Sequence, residues 1–433
     1  MRGSSAHPAT PPRLHECKGC GLLQTIPALT QGETARCARC PTILARVSVY
    51  RLDHVIALTV AELVLLTTMC ATTMMSVATA GISHTAGLFS GPAELIRQDM
   101  AALAVVVLFV TVFAPFGKLL GTLYVLIRLH EAKPPEHLRR VFVWAEWLRP
   151  WSMIEVFVLG VFVAYVKLSD LVTIGLDAGV YALLALMVVL IWEDTALDRE
   201  LVWEKLAPDA SRMGRDAVST STQAEMVGCE TCELVSVRRP GDTHCPRCRS
   251  PLHSRRPNSV QRTWALVAAA AILYIPANYY PVLTVMQLGA GAPSTILGGI
   301  EELVTAGMYP LAALVFFASI AVPMLKLVGL AIMLITTQTG RAGWLRDRTR
   351  LYHIVRFIGR WSMIDIFMES LLGALVVFGS VITIEPGVGA EAFCGVVILT
   401  MLAADSFDPR LMWDAASRRV PASPANPVLA TDD

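Results

Sequence analysis

The pentapeptide Trp361-Ser-Met-Ile-Asp365 has a near copy at Trp151-Ser-Met-Ile-Glu155. Other landmarks recur at nearly the same offset. Ala114-Pro115-Phe-Gly-Lys118-Leu returns as Val322-Pro323-Met-Leu-Lys326-Leu, Glu94-Leu95 returns as Glu302-Leu303, and paired CxxC units precede both sets. Several landmarks sharing one period mark a duplication, here of roughly 210 residues. Each element in one half therefore needs an account that also serves the other.

Hydrophobic residues make up 54% of the chain and charged residues 16%, with a mean hydropathy of +0.55, too apolar for a soluble two-domain protein. Apolar runs are expected to span a bilayer at Val55 to Ala80, Ala101 to Ile127, Trp151 to Val166 and Gly179 to Trp192. In the second half they lie at Trp264 to Leu288, Met308 to Thr336, Phe357 to Ile384 and Ala392 to Ala404. Each is near the roughly 20 residues a crossing helix needs. The polar stretch Met1 to Pro12 lacks the basic start and apolar core of a signal peptide, so the first span should persist in the mature protein.

Eight of the ten cysteines form four CxxC turns: Cys17 with Cys20, Cys37 with Cys40, Cys229 with Cys232, and Cys245 with Cys248. Two such turns on a short hairpin complete a four-thiolate tetrahedron with no open position, hence a structural site. The short separations favour a zinc ribbon over a rubredoxin-like iron site. His15, His244 and His253 are surplus to four thiolates. Arginines crowd the loops between second and third spans, among them Arg139, Arg140 and Arg149 in one half and Arg346, Arg348 and Arg350 in the other. Basic loops stay in the cytoplasm, which places both ribbons and both chain ends there, where thiols remain reduced. The expected architecture is an all-α polytopic membrane protein with a ribbon at 13–50, a four-helix module at 51–207 and a linker at 208–227. A second ribbon at 228–256, a second module at 257–416 and a disordered tail at 417–433 complete it.

Ionisable groups inside hydrocarbon are costly and mark function. Lys118 and Lys326 each follow a proline by three residues; Pro115 and Pro323 cannot donate to the carbonyls of Thr111 and Ser319, so a kink with a freed acceptor is expected. Ser362, Asp365 and Glu369 form one polar stripe on the next span, and Lys326 is expected to pair with Asp365. Lys118, Ser152 and Glu155 are the first-half counterparts. A snorkelling lysine and polar pairs that merely glue a bundle are the bland alternatives. Tyr274-Ile-Pro276-Ala-Asn278-Tyr-Tyr-Pro281, absent from the first half, suggests a broken helix lining a cavity in the second. No P-loop, GxSxG or HExxH is present, so no enzyme activity is expected.

The duplicated ribbons, P-x-x-K-L, W-S-M-I-[DE], Y-I-P-A-N-x-x-P and S-F-D-P-R-L-x-W at Ser406 to Trp413 together resemble the paraquat-inducible protein A family. The resemblance implies an inner-membrane protein of diderm bacteria beside a periplasm-spanning mammalian-cell-entry (MCE) domain protein. It also implies lipid traffic between the membranes, and on that reading the buried Lys326 is expected to meet an anionic headgroup. A proton-coupled transporter of a small ion or solute, and a structural or regulatory subunit, are the competing expectations.

Overall fold

The computed structural model describes residues 13–79, 82–131, 134–169, 173–212, 226–239, 241–287, 290–375 and 382–418. Most of the expected linker and tail, and Lys133 of the first basic loop, lie outside them. Each half opens with one long helix, Leu52–Ala71 or Ser259–Tyr279. The apolar runs continue further, but the backbone turns into strands at Thr73–Thr79 and Leu283–Gln287. The causes are local. The Thr72 hydroxyl donates to the Thr68 carbonyl at 2.8 Å beside a second β-branched residue, and Pro281 has no amide hydrogen with which to extend a helix.

Each strand is the centre of a three-stranded antiparallel sheet. The order is Ile82–Gly87, Thr73–Thr79, Thr173–Leu176 in the first half and Ala290–Ser294, Leu283–Gln287, Ile382–Pro386 in the second. The sheets repeat one another in order and direction, so the duplication survives in three dimensions and adds two β elements to a mainly helical protein. The last strand of each sheet leads straight into the fourth span, Ala178–Ala196 or Val388–Ser406. Glycine is required at that junction. The Gly387 amide donates to the Val282 carbonyl at 2.7 Å and a Cβ there would strike the Pro281 carbonyl.

The second spans run Ala101–Leu108, Phe109–Phe113, Ala114–Arg128 and Tyr309–Phe316, Phe317–Ala321, Val322–Gln338, and in both the middle five residues form a π turn directly before the proline. A widened turn accommodates a residue that cannot donate.

Among the described residues seven helices are long and apolar enough to cross a membrane. Of the eighth expected span, Phe357 to Ile384, residues 357–375 and 382–384 are described. Helix Leu345–Ile358 passes through a 3-10 turn at Gly359–Met363 into helix Ile364–Leu375, and Ile382–Pro386 is already sheet. This helix is the hub of the molecule. It packs against Ile154–Ser169, its counterpart in the first half, where Phe157 and Phe367 meet edge to face at 5.4 Å and Gly160 permits the close approach. One hydrophobic core therefore runs through both modules.

The ribbons are crossed. The first ribbon, strands Arg13–Glu16, Leu23–Ile26, Thr34–Arg36 and Ile43–Arg46, buries its cysteines with Leu330, Tyr352, Phe407 and Trp413 of the second module. The second ribbon buries its cysteines with Leu126, Phe142 and Trp203 of the first. Arg39 lies 4.2 Å from the centre of the Trp413 ring, a cation held over an aromatic face. Thr42 bonds His353 at 3.1 Å, and Arg249 pairs with Glu136 at 2.8 Å on the other side.

Candidate functional site

All eight CxxC thiols are buried, and within each set of four the sulfurs lie within 4.8 Å of one another. Cys17 and Cys40 are 3.5 Å apart, Cys20 and Cys37 3.6 Å, and the second set repeats these distances. A tetrahedral ion with metal–sulfur bonds of about 2.3 Å needs sulfur–sulfur edges of about 3.8 Å, whereas a disulfide needs about 2.05 Å. The residues present fit two closed metal sites. His15 instead meets Glu233 at 3.1 Å, and no histidine joins either cluster among the described residues.

Beneath the ribbons, the S-F-D-P-R-L-x-W motif makes an anchor. Arg410, 4% exposed, donates twice to Asp408 at 2.9 Å and also reaches Glu16 of the first ribbon at 3.2 Å and Glu230 of the second. Burial alone would raise the Asp408 carboxyl; the Arg410 guanidinium outweighs it and holds the group below the usual carboxylate range. A carboxylate lower in the folded than the unfolded state adds stability that is complete above the unfolded value and fades as pH falls through the folded one. Asp408→Asn should therefore flatten the acid limb of the thermal midpoint and cost roughly 3 kcal/mol at neutral pH. An acid limb identical to wild type would assign the acid sensitivity elsewhere.

In the second module the structure separates Lys326 from Asp365. Lys326, 1% exposed, donates to the Gly359 carbonyl at 2.8 Å and to the Thr400 hydroxyl at 3.4 Å. The expected ion pair assumed one straight third span. The 3-10 turn instead presents a carbonyl at the end of helix Leu345–Ile358, and a cation at a helix C-terminus is favourable. Asp365 meets the Ser319 hydroxyl, which the π turn carries, while Ser362 and Glu369 are buried with Oγ and Oε1 lacking hydrogen-bond partners. Pro323 is buried at the start of its helix beside that turn. The helix Ser259–Tyr279 is not broken at Pro276, and Asn278 donates to the Tyr274 carbonyl at 2.9 Å, serving its own backbone.

Under the sheet of the second module lies a cavity of about 80 Å³, whose polar wall includes Ser319, Asp365, Glu369 and Glu302 and whose apolar wall includes Met368 and Phe393. Lys326 and Asn278 do not line it. Lys167 does, reaching in from the first module.

The first module differs. Lys118 donates to Glu193 at 3.1 Å and Asp194 at 3.4 Å, both on the fourth span, and Arg149 holds Asp194 at 3.1 Å. The expected partner Glu155 is exposed; with Ser152 it lines a separate cleft of about 400 Å³ between the modules, beside Arg149, Arg356 and Arg360. Glu62, in the first span, is fully buried with both carboxylate oxygens unpartnered. Sequence reasoning missed Glu62, Glu193, Thr400 and Lys167. Glu62 carried a usable signal, a lone carboxylate in the middle of an apolar run.

The family model "Paraquat-inducible protein A" matches residues 52–207 and 260–417, one match per module. "Intermembrane transport protein PqiA" of Escherichia coli K12 is 34% identical over 406 residues, covering 92% of this chain and 95% of the relative. "Lipophilic envelope-spanning tunnel protein A" of the same organism is 29% identical over 92% of this chain and 91% of its own length. "Probable intermembrane transport protein" of Haemophilus influenzae is 27% identical over 94% and 98%. No solved structure matches. With two repeated modules of membrane-spanning helices, each matched on its own, this multi-pass membrane protein belongs to the paraquat-inducible protein A family.

Proposed function

We propose that this chain is the inner-membrane component of a system that moves phospholipid between the two membranes of a diderm envelope, loading or receiving lipid for a periplasm-spanning MCE-domain partner. The observation that carries it is the cavity under the second sheet. It sets Asp365, Glu369 and Ser319 against Met368 and Phe393, polar and apolar walls facing each other within a membrane module, as an amphiphile requires. Relatives named for intermembrane transport and for an envelope-spanning tunnel support the same reading. The arginine-rich loops share the ribbon end of the molecule, so the ribbons face the cytoplasm, zinc fills their thiolate sites, and the cavity opens toward the periplasm.

The test is lipid carried through purification. Wild-type protein should retain phospholipid detectable by mass spectrometry, and Met368→Trp, which fills the cavity, should reduce it roughly tenfold, the equivalent of about 1.4 kcal/mol, with metal content unchanged. Equal lipid in both proteins would remove the cavity from the mechanism. Glu62 and Glu369, buried with unpartnered oxygens, favour one rival, a proton-coupled transporter of a small ion or solute. Solute-dependent proton flux in vesicles without lipid transfer would select it.

A further inference from the structure

We propose that the cavity at the seam of the two modules is a headgroup site for a zwitterionic phospholipid bearing a primary ammonium, its cation supplied by the first module and its anions by the second. This deepens the transport reading and rests on it. Lys167 stands in the last turn of helix Ile154–Ser169, yet its side chain lines the cavity of the other module. Among the described residues its ammonium makes no hydrogen bond or ion pair. Opposite lies Glu369, 4% exposed, with Oε1 unbonded; Glu302, on helix Ile296–Thr305, also lines the cavity. Asp365 is already engaged by Ser319. A lysine without a partner and a buried carboxylate without a partner therefore share one small space.

Charge decides which ligand suits it. The lining holds one lysine against three carboxylates, Asp365, Glu369 and Glu302. A net-anionic headgroup would add to that excess, whereas a zwitterion brings its own cation. The phosphodiester has two positive features to meet. One is the Lys167 ammonium, and the other is the N-terminus of the ten-residue helix Ile296–Thr305, whose first turn, with Thr295, Ile296 and Gly299, borders the cavity. The headgroup ammonium then lies with Glu369 and Glu302, supplying the donors that Glu369 lacks. Size agrees. About 80 Å³ has room for on the order of six water-sized groups, enough for the ethanolamine end and part of the phosphodiester and too little for a sugar phosphate.

A site shared in this way joins the two halves of the duplication in one function. The first module contributes its third span as one wall of the pocket in the second. Neither module completes the site alone.

The experiment uses the full-length protein reconstituted into liposomes with equal amounts of phosphatidylethanolamine and phosphatidylglycerol, re-extracted in mild detergent, with bound lipid quantified by mass spectrometry. Wild type should hold phosphatidylethanolamine enriched about fivefold over the bulk ratio. Lys167→Met should bring the bound ratio back to the bulk one, and Glu302→Lys should favour phosphatidylglycerol. Glu302→Gln, which keeps the shape and removes one charge, should reduce the enrichment partway and guards against a misfolded charge reversal. Bound lipid at the bulk ratio in wild type, or an unchanged ratio in Lys167→Met, overturns the headgroup site while leaving lipid handling standing. No bound lipid in wild type overturns both.

Discussion

Replacing Cys17 and Cys20 with serine is expected to loosen the second module and leave the first nearly intact, and replacing Cys229 and Cys232 to do the reverse. The expectation runs against chain order and follows from the crossing of the ribbons. Cys17 and its three companions share a buried cluster with Leu330, Tyr352, Phe407 and Trp413, whereas Cys229 and its companions share one with Leu126, Phe142 and Trp203. Structural zinc contributes about 10–16 kcal/mol to small ribbons in isolation, so losing the ion unfolds the ribbon. The face it covered is then open to water. Hydrogen exchange should rise in Leu327 to Leu334 and in Leu345–Ile358 for the first variant, and in Ala114–Arg128 and His137–Leu148 for the second, with metal content halved in each. Faster exchange confined to the module that follows the mutated ribbon in sequence would contradict the crossed arrangement.

Much of the architecture was legible before any coordinates. The duplication, the four CxxC turns and the placing of seven membrane helices were readable because each rests on a local pattern. The third spans were harder, because Arg360 and Ser362 inside Gly359–Met363 also fit the polar positions of one continuous helix and do not by themselves signal a change of turn. The sheets were hidden for a similar reason. Thr73-Met-Met-Ser-Val-Ala-Thr79 continues the hydropathy of the helix before it, and only its β-branched content hints at a strand. The crossing of the ribbons is a long-range choice that no local signal encodes.

The candidate site was half legible. Asp365 and Glu369 of the expected polar stripe stand at one cavity, but Ser362 does not line it, Ser319 takes its place, and the lysine there is Lys167 and not Lys326. Side-chain pairing rules look for a carboxylate opposite a lysine; Lys326 found a backbone carbonyl, which is present at every residue and leaves no trace in sequence.

The duplicated lysines should therefore fail differently when removed. Lys118→Met strips from the fully buried Glu193 its one hydrogen-bonded cation among the described residues, beside a Glu62 whose carboxylate oxygens make no hydrogen bond there. Breaking a buried pair in this way costs about 3–5 kcal/mol, enough to unfold a marginal module. The companion change Glu193→Leu should restore most of the loss, because an apolar pair of similar volume carries no desolvation penalty. Lys326→Met removes a charge whose partners, Gly359 and Thr400, are neutral, and leaves one carbonyl and one hydroxyl short of a donor at about 1–3 kcal/mol. It should fold, keep its metal and melt well above Lys118→Met in the same detergent. Of the two copies of P-x-x-K-L, one has become an ion pair that holds a module together and the other sets its amine among neutral groups. Comparable melting losses in the two methionine variants would refute that division of labour.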